Sequence, residues 1–316
     1  VLIQDDRIAQ IATHIDAITS GASDILDCEG LTLTPGFIDV HTHDDAQVLR
    51  DPQMLAKVSQ GVTTVITGNC GLSLVPWVTE NPISPLDLLH TTEFKYPNLS
   101  AYAKAIESAR PSVNVASLIG HTTLRAANMA EWSKPANESE IAAMTVQLAQ
   151  AMQQGALGLS SGLFYQPAAA ANPEEMKALT RVVGQHGGVY VTHLRSEMDS
   201  IIAAMHEAAD TAQAGRTPWI LSHHKCAGPQ NWGRTIETLA LLDQLSKTQE
   251  IGLDAYPYNA GSTLLRSDLG THNSGDILAR QGIQVGDRGY ARAYISGEKH
   301  GTSAGHPEGD GDDAWN

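Results

Sequence analysis

The sequence has only three cysteines among 316 residues. Cys28, Cys70 and Cys226 are too few and too scattered for a disulfide framework, so each is judged alone as packing, ligand or bystander. No stretch approaches the roughly 18–20 uncharged apolar residues that a membrane helix needs, so no membrane partner is expected. Basic residues are outnumbered, with 20 Lys and Arg against 35 Asp and Glu. The resulting net charge of −15 leaves no basic excess to displace phosphate counterions, which argues against nucleic-acid binding. It points to no partner of its own, because acidic surfaces mostly serve solubility. The opening segment VLIQDDRIAQIA has neither the basic-then-apolar pattern of a secretion signal nor an Arg/Ser-rich transit pattern, so the expected location is the cytoplasm.

What is present is an alternation. Apolar, β-branched runs at Pro35–Val40, Val62–Thr67, Asn114–Leu118, Leu157–Ser160, Val189–Thr192, Trp219–Ser222 and Gly252–Tyr256 read as strands. Between them, Glu138–Gln153, Pro173–His186, Glu197–Ala214 and Ile236–Lys247 have apolar residues at helical spacing. Asn172 before Pro173-Glu174-Glu175 reads as a helix cap with proline in the first turn. Such alternation predicts a parallel sheet covered by helices, and closure into a barrel gathers the C-terminal strand ends around one mouth.

Seven strands are counted where a (β/α)8 barrel has eight. The expected fold class is therefore α/β: a (β/α) TIM-type barrel, incomplete at about seven of eight strands, with a remnant of a small flanking β-domain. The expected divisions are residues 1–33 for the partial β-domain, 34–264 for the barrel and 265–316 for a divergent tail. That tail holds 10 of the 28 glycines and almost no periodic apolar pattern, so disorder is expected there.

The barrel rule directs attention to residues just past each strand. His41-Thr42-His43 follows the first strand, and residues two apart in extended chain point to the same side, so both imidazoles can reach one cation. Gly68-Asn69-Cys70-Gly71 follows the second. A cysteine between glycines is poor packing material but well placed to approach a metal as thiolate. His193 and the pair His223-His224 follow later strands. Alone, each has an ordinary structural reading: polar loop residues, a tight turn, a satisfied core histidine. Their conjunction at one mouth, in the residue types zinc prefers, points to a metal site. His14, His186 and His206 on helices do not fit this geometry, nor do His272, His300 and His306 in the tail.

With these residues in view, the segments PGFIDVHTHDD (35–45), QGVTTVITGNCG (60–71), GLSSGLFYQP (158–167), YVTHLRSE (190–197), LSHHKCAGPQNWG (221–233) and LDAYPYNAGST (253–263) resemble the amidohydrolase superfamily, and within it the N-acyl-D-amino-acid deacylases. The resemblance covers about residues 1–264. It implies zinc-dependent hydrolysis of the amide of N-acyl-D-amino acids to a carboxylate and a D-amino acid. It implies that Cys70, His193 and His223 hold a tightly bound Zn2+, with His223 favoured over His224, and that His41 and His43 form a second, weaker position sharing the Cys70 sulfur. Lys225 and Ser262 are similar to residues that contact the substrate carboxylate or carbonyl. Tyr165 and Tyr256 resemble substrate-orienting tyrosines, and Phe164 a residue lining the acyl pocket.

Cyclic-amide hydrolases of the superfamily usually bridge two metals with a carboxylated lysine on strand four. Here that strand runs Ala156-Leu157-Gly158-Leu159-Ser160-Ser161-Gly162 without a lysine, and cysteine as the bridge fits the deacylase branch better. The family's catalytic aspartate follows strand eight, and the resemblance stops near Leu264. Asp268 comes too soon after the seventh strand to take that role. Two alternatives therefore stand beside the deacylase reading: a catalytically impaired, truncated zinc-binding fragment, and an amidohydrolase acting on another, cyclic amide.

Overall fold

A computed structural model describes residues 1–16, 21, 24–92, 94–257, 260–264, 283–285 and 290–294, with side chains described as far as residue 257. The chain divides into two compact units, Val1–Gly36 and Phe37–Asn316. In the first, β1 (Leu2–Gln4) and β2 (Arg7–Gln10) pair antiparallel across Asp5 and Asp6. Asp5 takes the positive φ, 55°, that a two-residue hairpin turn favours.

The second unit is built on parallel strands. β3 (Phe37–Asp39) is followed by β4 (Val62–Thr67), whose six residues are all β-branched and suit a pleated surface. After a separate antiparallel pair, β5 (Trp77–Thr79) and β6 (Phe94–Tyr96), come β7 (Asn114–Gly120), β8 (Gly158–Gly162), β9 (Val189–His193), β10 (Trp219–Leu221) and β11 (Ile251–Leu253). These form one seven-stranded sheet in the order β11-β10-β9-β8-β7-β4-β3, every pairing parallel. All seven expected strands are present, and the fold is an incomplete (β/α) barrel.

Helices cover it. Pro173–Gln185 starts as expected, with the Asn172 side chain accepting from the Glu175 N–H at 2.9 Å, and Glu138–Gln153 starts with a reciprocal Asn137/Glu140 capping box. Met144, Leu148, Met176, Leu179, Val183, Met205 and Ala212 from three helices pack with Leu159, Tyr190 and Trp219 of the strands in one core. Among the described residues no helix is long and apolar enough to cross a membrane.

The helix expected from Glu197 begins instead at Ile201. Glu197 stays in the preceding loop because ion pairs at the barrel mouth hold it there. Further on, β12 (Ala260–Leu264), β13 (Ile283–Val285) and β14 (Tyr290–Tyr294) make a three-stranded antiparallel sheet in the order β12-β14-β13. Two stretches of the glycine-rich tail thus pair as strands, and Tyr290-Ala-Arg-Ala-Tyr294 has the large–small alternation that suits one. The rest of the expectation for 265–316, Asp268 included, lies outside the described residues.

One polar cluster is sealed in the core. Arg125 donates to both oxygens of Glu175 at 2.6 Å and to the carbonyls of Trp132 (3.0 Å) and Lys134 (2.6 Å). His121 Nε2 lies 2.7 Å from Glu175 Oε1. All three side chains are fully buried. Their mutual charge outweighs burial and holds Glu175 down to about 2.

Candidate metal centre

The turn after β4 is the tightest piece of the mouth. Gly68 has φ +78°, and a Cβ there would stand 2.1 Å from the Leu118 carbonyl oxygen. Cys70 itself takes φ 54°, a conformation a side chain rarely adopts. The neighbours impose it. The buried Asp45 carboxylate accepts from the Gly68 N–H at 3.1 Å, and Ser160 on β8 accepts from the Gly71 N–H at 2.9 Å while donating to the Gly68 carbonyl. Asn69 donates to the Ile66 carbonyl at 2.9 Å. Burial outweighs these bonds at Asp45 and raises its carboxyl to about 6. The sulfur is thereby pushed into the mouth.

Two sets of donors converge on it. The ligand atoms of Cys70, His193 and His223 lie within 4.8 Å of one another, and so do those of His41, His43 and Cys70. His223 Nε2 is 3.6 Å from Cys70 Sγ and 2.9 Å from His193 Nδ1, and His41 Nε2 is 3.1 Å from the same sulfur. His223, like Cys70, has a left-handed backbone, φ 36°. One thiolate flanked by imidazoles on both sides is the donor set of a binuclear site for zinc or a similar borderline cation. The structure brings together five side chains from four strand ends, in two groups that share Cys70.

The electrostatics match. Burial would push the Cys70 thiol up, but the His41, His193 and His223 rings outweigh it and hold the group well below its ordinary value. Burial would lower both His41 and His223. At His41 the Cys70 sulfur and Asp254 win and raise it to about 10, and at His223 the Glu197 carboxylate and Cys70 raise it to about 9. Burial lowers His193.

Two carboxylates were missed from sequence. Glu197 Oε1 lies 2.9 Å from His223 Nδ1, and Lys225 donates to both Glu197 oxygens at 2.8 and 2.7 Å. These positive neighbours outweigh burial and hold Glu197 well below the usual carboxylate range. Asp254, the first residue past β11, approaches His41 Nδ1 at 3.1 Å and accepts from the His223 N–H at 2.7 Å. Asp254 was hidden because the strand expected over Gly252–Tyr256 ends at Leu253, which leaves Asp254 at the mouth. Glu197 sits four residues past His193, where helical periodicity hid it.

His224 turns away, with Nε2 2.9 Å from Thr238 Oγ1 and its N–H bonded to the Asp254 carbonyl. The Phe164 ring stacks at 5.9 Å and the Tyr165 ring stands edge-on at 5.3 Å from His193. Lys225 Nζ lies 5.7 Å from the centre of the Tyr256 ring, whose hydroxyl is pushed up to about 12 by burial and the Glu197 charge. Ser262 lies in β12, and its side chain is outside the described residues.

The profile of the amidohydrolase family matches residues 24–277. The chain belongs to that family. It is 45% identical over 267 residues to the D-aminoacylase of Alcaligenes xylosoxydans xylosoxydans, covering 84% of this chain and 54% of that protein. It is 43% identical to the N-acyl-D-aspartate deacylase of the same organism, covering 85% and 53%. A solved D-aminoacylase structure, described by its binuclear metal centre, superposes with a TM-score of 0.73 at 47% identity over 74% of this chain and 50% of that one. The N-acyl-D-glutamate deacylase of Bordetella bronchiseptica, solved with zinc and a phosphonate mimic of the tetrahedral intermediate, gives 0.71 at 40% identity, again over 74% and 50%. The chain spans about half the length of the curated relatives it matches.

Within the amidohydrolase frame, β8 has a structural part. Ser160 pins the cysteine turn, and Ser161 bonds Tyr190 and Thr192 hydroxyls at 2.8 Å. The group that the two donor sets share is the Cys70 sulfur.

Proposed function

We propose that the chain holds zinc at the centre of a D-aminoacylase-type site whose substrates are N-acyl-D-amino acids, and that the chain by itself hydrolyses them slowly. The observation that carries this reading is the Cys70 sulfur held between the His193–His223 and His41–His43 pairs. Cys70, His193 and His223 would hold one ion, and His41 and His43 with the same sulfur a second. A zinc ion bound there supplies a water acidified from about 15.7 toward 7 and a polarised carbonyl.

The chain's own residues do the rest. Phe164 and Tyr165, packed against His193, wall the space beside the centre and exclude water from the acyl side. Lys225 presents an ammonium toward Tyr256, and in this reading the pair meets the substrate carboxylate or carbonyl, with Ser262 contributing from β12. Amide hydrolysis also needs a group to move a proton to the leaving nitrogen. Among the described residues, the two acids that reach the imidazole rings of the donor sets are both committed: Glu197 to His223 and Lys225, and Asp254 to His41 and the His223 backbone. A missing general base costs about 10²–10⁴-fold in rate, which supports the reading of an impaired zinc-binding chain.

The test is zinc content together with turnover of N-acetyl-D-methionine and its L-enantiomer. Bound zinc with slow, D-selective hydrolysis is expected. Absence of zinc after purification in zinc-containing buffer refutes the centre, and fast turnover refutes the missing base.

A further inference from the structure

We propose that Glu197 and Asp254, neither of them placed as a metal ligand, divide the control of the two metal positions. Glu197 sets the rings of the Cys70–His193–His223 position, and Asp254 sets His41 for the His41–His43–Cys70 position. The inference rests on the zinc-centre reading and deepens it.

An imidazole offers one nitrogen to a cation when the other keeps its proton, and the partner of that second nitrogen decides which is which. His223 and His41 are mounted alike, except that His223 Nδ1 also lies 2.9 Å from Lys225 Nζ, whose ammonium pairs with Glu197. Nδ1 faces a carboxylate, at 2.9 Å from Glu197 and 3.1 Å from Asp254 respectively. Nε2 faces the Cys70 sulfur, at 3.6 and 3.1 Å. Each carboxylate accepts the Nδ1–H and leaves the Nε2 lone pair directed inward.

His193 is mounted the other way round. Its Nδ1 faces the centre, 2.9 Å from His223 Nε2, and its Nε2 lies 3.8 Å from Glu197 Oε2. Glu197 thus stands behind both histidines of one position, and Asp254 behind His41 of the other. Each carboxylate is itself held: Glu197 by Lys225, and Asp254 by the His223 N–H at 2.7 Å. The second contact also steadies His223 in its left-handed conformation. The two positions are therefore oriented by different acids although they share one sulfur.

The experiment is stepwise cobalt(II) titration of the full chain and of the E197Q and D254N variants. Calorimetry and thiolate-to-cobalt absorption read each step, and thermal unfolding of the metal-free proteins is measured alongside. Gln and Asn keep an oxygen for the neighbouring N–H donors and remove the charge that holds the ring proton. E197Q is expected to weaken the first equivalent more than the second, and D254N the second more than the first, the larger effect in each being about 10–100-fold. Equal weakening of both steps in both variants overturns the division. So does lowered metal-free stability with both steps intact, which would make the acids purely structural. Failure of the unaltered chain to take up cobalt or zinc refutes the zinc-centre reading itself, so the two failures are told apart.

Discussion

His41 and Asp254 follow the strands at opposite ends of the seven-stranded sheet, 213 residues apart, yet His41 Nδ1 lies 3.1 Å from Asp254 Oδ1. The contact requires the sheet to curl until its first and last strands face each other at the mouth. Strand twist accumulates in one hand and produces that curl. The same curl brings His43 and the Cys70 turn opposite His193 and His223.

Ligand substitutions should separate the two adjacent histidines. C70S and H223A are expected to lower zinc affinity at least about 100-fold, since each removes a ligand atom rather than a supporting partner. H224A should leave zinc content unchanged, because that ring bonds Thr238. Elemental analysis after dialysis reads the outcome, and zinc loss in H224A alone would reverse the assignment.

Metal binding should release protons in a pH-dependent way. His223 is raised to about 9, so at pH 7 the metal-free ring carries a proton that a cation must displace. About one proton leaves on filling the first position, and affinity rises with pH until about 9, where it levels off. Calorimetry in two buffers of different ionisation enthalpy measures this number. Identical heats in both buffers would contradict it.

Gly68 and Gly187 both have positive φ, +78° and +68°, but only Gly68 has backbone within 4 Å of the missing Cβ. G187A should cost only the conformational strain, about 1–2 kcal/mol. G68A adds a collision with the Leu118 carbonyl and should lower both stability and zinc content by displacing Cys70. Denaturant unfolding and metal analysis of the pair provide the comparison, and equal effects would remove the clash from the account.

The buried cluster of His121, Arg125 and Glu175 should give the chain an acid-sensitive core. Glu175 is held down to about 2, against an ordinary 4.5, so its contribution is complete above about 4.5 and is lost as pH falls toward 2. E175Q leaves Arg125 buried without its counter-charge and should cost about 3–5 kcal/mol near neutrality. The variant should also lack the Glu175 part of the acid slope between pH 4.5 and 2, measured as the difference between the two unfolding curves. Parallel curves for the two proteins would remove Glu175 as the source.

Much of the fold was legible because its signals are local. The β-branched run Val62–Thr67, the Asn172-Pro173 cap and the apolar spacing of Pro173–Gln185 act within a few residues, and the structure keeps all three. Strand alternation led to the parallel sheet, and the position rule led to Cys70, His193 and the His223-His224 pair. Glu197 was misplaced because its spacing continues a helical pattern, while its charge is drawn to His223 and Lys225 some thirty residues away. Asp45 and Ser160, which clamp the cysteine turn, look like ordinary polar loop and strand residues when read along the chain.

By itself, then, the sequence determined which segments become the seven parallel strands and the main helices between them, and that imidazoles and one thiol stand at strand ends. Those outcomes depend on backbone preference and on spacing along the chain. Only the tertiary structure decided that one sulfur serves two donor sets, that His223 rather than His224 turns inward, and that Asp254 reaches His41. Each of these depends on contacts between groups tens to hundreds of residues apart, and the curl of the sheet sets those distances.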